Sequence, residues 1–132
     1  MPDTARPRLV VINDDPTFLE LMDELLEELE GYEVLLRKEG DHAYEFVKEN
    51  GPDLVILDVR IEGQEKGWQI LELLPLDPET RPIPVIVCSA AVKDLQTQEP
   101  RLRRQGVDVL PKPFELTELL SKVKASLGKG PR

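Results

Sequence analysis

Apolar residues gather in five short runs, at residues 9–12, 33–37, 54–57, 85–88 and 107–110, separated by segments in which hydrophobic positions recur every three or four residues. Consecutive apolar positions, without polar alternation, suit strands of a parallel sheet covered by helices on both faces. The pattern therefore predicts an α/β chain of (βα)5 form. The first helix should run from about Pro16 to Leu29, with Phe18, Leu21, Met22, Leu25 and Leu29 on one stripe and acids filling the gaps. Asp15 suits its cap and Pro16 its first turn. The last helix should carry Leu116, Leu119, Leu120, Val123 and Leu127 on one stripe, with Gly128 placed to end it.

Two connections break the regularity. Residues 60–66 are polar and contain Gly63, predicting a loop before a short helix over 68–74. The fourth helix should occupy residues 92–105, but Pro100 falls in its middle. A proline there removes a helical hydrogen bond and crowds the preceding turn, so this helix is expected to be short, broken or begun late.

Composition narrows the function classes. With 132 residues, 40% apolar and 33% charged, the chain can bury a largely aliphatic core, and one domain over residues 1–132 with an ordered core of about 8–128 is expected. No apolar run approaches membrane-spanning length, and residues 1–8 lack the apolar core of a secretory signal, so a cytoplasmic location is the default expectation. The net charge of −9 repels phosphate backbones and argues against direct nucleic-acid binding. The charge is also uneven: residues 1–66 hold 18 acids and 7 bases, net −11, while residues 67–132 hold 8 acids and 10 bases, net +2. Cys88, the only cysteine, lies in an apolar run and is expected to be a small buried hydrophobe, not a catalytic thiol. His42, the only histidine, has no second histidine for a dyad or a zinc site and is expected to be an exposed residue at a helix start.

In an open parallel sheet, ligands bind at the carboxyl ends of the strands. There the sequence places Asn13, Asp14 and Asp15 after strand one, Asp58 after strand three, Ser89 after strand four and Lys112 after strand five. Clustered carboxylates repel unless a cation joins them, and one or two carboxylates plus waters suit Mg²⁺, with Asp14 and Asp58 the natural ligands. With Lys112 adding charge and Ser89 a hydrogen bond, such a rim could stabilise a phosphoryl group on Asp58. An aspartate after a strand is often only a turn former or helix cap, which could account for Asp15 and for Asp14 taken alone. It does not account for Asp58, which closes an otherwise apolar strand.

Asn13-Asp14-Asp15-Pro16, Asp58 after Leu-Val-Ile-Leu, Ser89-Ala90 and Lys112-Pro113-Phe114, each at a strand end, together resemble a response-regulator receiver domain of two-component signalling, of the chemotaxis-regulator kind, over essentially the whole chain. The resemblance implies a flavodoxin-like, doubly wound five-stranded parallel sheet of strand order 2-1-3-4-5. It implies that Asp58 accepts a phosphoryl group from a histidine kinase or phosphotransferase protein, and that Ser89 and Lys112 contact the phosphoryl oxygens. Mg²⁺ would be held by Asp14, Asp58 and the Arg60 backbone carbonyl, with Asn13 in the position that acts on the metal through water. A cis Lys112-Pro113 peptide and an unnamed downstream protein partner are implied as well. Such a domain is not an enzyme in the ordinary sense, catalysing only its own phosphoryl transfer and dephosphorylation.

The chain departs from the family at Asn13, where a carboxylate is usual, at Ile61 and Glu62, which replace Met-Pro in a loop one residue longer, and at Val109, where an aromatic switch residue is usual. Asn13, Val109 and the disturbed fourth helix leave a second reading open, a degenerate receiver serving as a phosphorylation-independent interaction module. A haloacid-dehalogenase-type phosphatase would need an acid two residues after its nucleophile, where Arg60 stands. A flavodoxin would need a hydroxyl- and glycine-rich phosphate loop where the acidic segment from Asn13 to Pro16 would repel phosphate.

Overall fold

A computed structural model of the protein describes residues 6–58, 66–89 and 92–129. Five parallel strands, β1 (Arg8–Ile12), β2 (Glu33–Arg37), β3 (Leu54–Leu57), β4 (Val85–Ser89) and β5 (Asp108–Pro111), form one sheet in the order 2-1-3-4-5. Each predicted strand lies within a residue of the observed one. The helices are α1 (Pro16–Met22, continued as a π-helix over Asp23–Leu29), α2 (Ala43–Asn50), α3 (Lys66–Leu73, with a 3-10 turn over Leu74–Leu76), α4 (Val92–Arg104) and α5 (Leu116–Lys129).

Because side chains alternate across a strand, the apolar runs feed two cores. Leu9, Val11, Leu54, Ile56, Ile86 and Cys88 face α1 and α5. Val10, Ile12, Val55, Leu57, Val85 and Val87 face α2, α3 and α4. Cys88 is buried as expected, and that burial pushes its thiol up to about 12, far from thiolate chemistry. His42 is exposed and begins α2 in the left-handed conformation (φ 61°). Among the described residues no helix is long and apolar enough to cross a membrane.

The helices differ from expectation in four places. The first helix spans its predicted range, but its second half winds in π form, so each turn takes more residues than an α-turn. Leu19, Met22, Leu25 and Leu26 face the core, while Leu21, in the α-helical first half, and Leu29, at the end of the π segment, turn outward, Leu29 being 75% exposed. From the π segment, Glu27 accepts a hydrogen bond from the Val34 N–H (3.2 Å), closing part of the open edge of β2. The fourth helix is neither short nor broken and runs through Pro100. Pro100 is exposed, and so is Gln96 one turn earlier, so the carbonyl that loses its donor lies on the water-facing side. The last helix does not end at Gly128 but continues to Lys129, and Gly128 lacks the positive φ of a terminating glycine. Leu116, expected on its buried stripe, is 40% exposed. The third helix starts two residues earlier than predicted and takes in Gly67, while the loop before it lies outside the described residues.

A polar network ties α2 to the segment before β4. Tyr44 donates its hydroxyl to Asp77, and Lys48 pairs with Asp77 (2.9 Å) and Glu79 (3.2 Å). The Tyr44 hydrogen bond first, then the Lys48 ammonium and the Glu79 backbone N–H, hold the Asp77 carboxyl down to about 2 from an ordinary 3.8. A carboxyl lowered on folding stabilises fully above its unfolded value and loses that contribution as pH falls through its folded value. Asp77→Asn should therefore lower the melting temperature by a constant amount above about pH 4, with the gap to wild type closing towards pH 2. Melting curves across that range check this, and a gap that persists unchanged at pH 2 would remove Asp77 from the network.

Candidate functional site

The site is assembled by strand register. Ile12 of β1 pairs with Leu57 of β3, and the Asp58 N–H donates to the Ile12 carbonyl at 3.0 Å. Asn13 and Asp58 therefore stand side by side at the carboxyl edge, about one strand spacing of 4.8 Å apart. On the other side of β3, Leu57 pairs with Val87 of β4, and Ser89 at the end of β4 pairs with Pro111 of β5. Lys112 follows directly, so four adjacent strand ends deliver Asn13 and Asp14, Asp58, Ser89 and Lys112 to one rim. The backbone of Ser89 is placed, while its side chain and all of Arg60 lie outside the described residues.

Asp58 is only 8% exposed, and Lys112 sets its ammonium 3.6 Å from the Asp58 Oδ2. A buried carboxylate requires such a counter-charge, because desolvating an isolated charge is prohibitive. Lys112 is itself held from below, its Nζ 4.6 Å from the centre of the Phe18 ring, and Phe18 meets Phe114 edge to face with centroids 6.4 Å apart. A cation–π contact of this kind is worth about 0.5–2 kcal/mol depending on desolvation. The Lys112-Pro113 peptide that leads into Phe114 is cis, as the resemblance implied. The support that Phe18 gives Lys112 is not foreseeable from sequence, where Phe18 is one member of an apolar helical stripe. The only signal is the aromatic at Phe114, two residues after the lysine.

Asp14 is half-buried at the rim, and Asp15 is spent elsewhere, its carboxylate accepting from the Thr17 N–H (3.0 Å) as the cap of α1. Asn13 is 1% exposed; its Oδ1 accepts from the Asp15 N–H (2.9 Å), while its Nδ2 is buried without a hydrogen-bond partner among the described residues. A buried donor left unpaired costs roughly 1–3 kcal/mol. Val109 sits in β5 opposite Val87, half-buried against the core on the α2, α3 and α4 side.

The donor set suits one kind of cation. Among the described residues no three His, Cys, Asp or Glu side chains converge as a closed metal cage. Two carboxylates, Asp14 and Asp58, match Mg²⁺, which keeps several waters and takes one or two carboxylates. They do not match a structural zinc site, which needs four nitrogen or sulfur ligands.

Over residues 9–124 the chain matches the response regulator receiver domain family. It is 32% identical over 121 residues to Protein PilH of Pseudomonas aeruginosa, covering 91% of this chain and 97% of PilH. It is 31% identical over 125 residues to the DNA-binding response regulator MtrA of Mycolicibacterium smegmatis, covering 95% of this chain but only 52% of MtrA. The receiver domain of sensor histidine kinase PA1611 from Pseudomonas aeruginosa, solved with a magnesium ion coordinated in its active-site cleft, has the same fold, with a TM-score of 0.78 at 24% identity over 94% of this chain and 99% of that one. With its fold, its strand order and the family match along most of its length in agreement, the chain belongs to the response regulator receiver domain family.

Proposed function

We propose that this domain accepts a phosphoryl group on Asp58 from a histidine kinase or histidine phosphotransferase protein, in a Mg²⁺-dependent reaction, and passes the signal to a downstream protein by changing conformation. The observation that carries the reading is the buried Asp58 carboxylate held 3.6 Å from the Lys112 ammonium at the end of an apolar strand. An Asp58 oxygen attacks the phosphorus of a phosphohistidine. The new P–O bond forms as the P–N bond breaks, and the electron pair leaves with the imidazole nitrogen; a proton already carried by the other ring nitrogen makes the departing imidazole neutral. Lys112, already beside the carboxylate, donates to a phosphoryl oxygen as charge builds there, and Ser89 at the neighbouring strand end offers a hydroxyl to another. Mg²⁺ held by Asp14, Asp58 and the Arg60 carbonyl would neutralise the remaining oxygen charge.

Signalling should take a modified route. Val109 has no ring to rotate into space vacated by a hydroxyl and is stiff at its first torsion. Beryllofluoride, a phosphoryl mimic, tests the site without a kinase. Calorimetry should show saturable binding at one equivalent in Mg²⁺, lost when the metal is withheld, and Trp68, in α3 and packed against the core, should change its emission on binding. No binding at saturating metal would favour a degenerate module that acts through protein contacts alone.

A further inference from the structure

Asn13 has a polar atom that the metal does not explain. The Asp15 N–H needs an acceptor and fixes the amide, so Oδ1 points to the turn and the NH₂ is the end left over. That Nδ2 is buried and, among the described residues, unpartnered, on a residue 1% exposed, and the neighbouring residue across the strand pair is Asp58. An amide N–H cannot ligate a cation. It is also a poor partner for a metal-bound water, which donates its protons outward and has its lone pair on the metal. It is a good donor to an anionic oxygen.

Building on the phosphoacceptor reading, we infer that Asn13 is a binding residue for the phosphorylated aspartate. Its Nδ2 donates to an oxygen of the acyl phosphate on Asp58, in place of the metal-side role that a carboxylate there would serve. In the unmodified protein this donor is unsatisfied, and phosphorylation brings an oxygen within its reach. The substitution then does more than lower the charge of the site. It exchanges a group that attracts Mg²⁺ for one that holds the anion, so occupancy of the phosphoryl position is supported by Lys112 on one side of Asp58 and by Asn13 on the other.

Asn13→Asp separates the two roles, because it is isosteric and keeps the acceptor for the Asp15 N–H, so the turn before α1 is retained. It should bind Mg²⁺ about fivefold more tightly through its added charge. At saturating Mg²⁺ it should nevertheless bind beryllofluoride about tenfold more weakly or worse, having lost a donor to a charged group and gained a repelling carboxylate. In the unsubstituted protein, nitrogen-15 NMR should show the Asn13 side-chain amide shifting and its protons becoming protected from exchange when beryllofluoride binds. Equal or tighter beryllofluoride binding by Asn13→Asp, or an Asn13 amide unmoved by bound beryllofluoride, would overturn the donor role alone. A wild type that binds no beryllofluoride at saturating Mg²⁺ would overturn the phosphoacceptor reading and the donor role with it.

Discussion

Asp58→Asn should leave a folded protein that no phosphodonor can modify. The two side chains are isosteric, so the packing of Leu57 and the β3 ladder is retained, and the amide keeps an oxygen to face Lys112. What is lost is the anionic oxygen, and an amide does not attack phosphorus at neutral pH. No other carboxylate on the rim can replace it. Asp15 is turned to the Thr17 N–H and caps α1, and the proposed role of Asp14, just past the end of β1, is to hold the metal. Complete loss of the adduct, with an unchanged circular dichroism spectrum, is the expected result. A phosphorylated Asp58→Asn protein would move the acceptor elsewhere.

Lys112→Ala should slow phosphorylation by about 100-fold, the scale on which removal of one preorganised donor to a developing oxyanion is felt. Lys112 is placed for this before any substrate arrives, with its ammonium 3.6 Å from the Asp58 carboxylate and 4.6 Å from the centre of the Phe18 ring, so no reorganisation is needed as the phosphoryl group is transferred. Phosphorylation time courses with acetyl phosphate check the rate, and thermal melting checks the fold. A variant phosphorylated at the wild-type rate would reduce Lys112 to a structural counter-ion, and an unfolded variant would show that its pairing with Asp58 is needed for folding.

The strands and their carboxyl ends were legible in the sequence because parallel strands covered on both faces show as unbroken apolar runs, so that a charge such as Asp58 stands out where a run stops. The cap at Asp15 was legible for a local reason, since an Asx side chain reaches the N–H two residues on. The outward turn of Leu29 was not, because periodicity is counted on α geometry and nothing in 23–29 announces a π-helix. Pro100 misled because the rule against interior proline supposes that the freed carbonyl is buried, whereas here it faces water. The seat of Lys112 on Phe18 joins residues almost a hundred positions apart, and the direction of the Asn13 amide is set by a single backbone N–H. Both follow from three-dimensional placement that residue spacing does not carry.

Intact-mass spectrometry of the protein incubated with acetyl phosphate, with and without Mg²⁺, tests the central claim most directly. The account predicts a single phosphoryl adduct that forms only with the metal present and maps to Asp58. An unmodified protein at saturating donor and Mg²⁺, or an adduct on a residue other than Asp58, would contradict it.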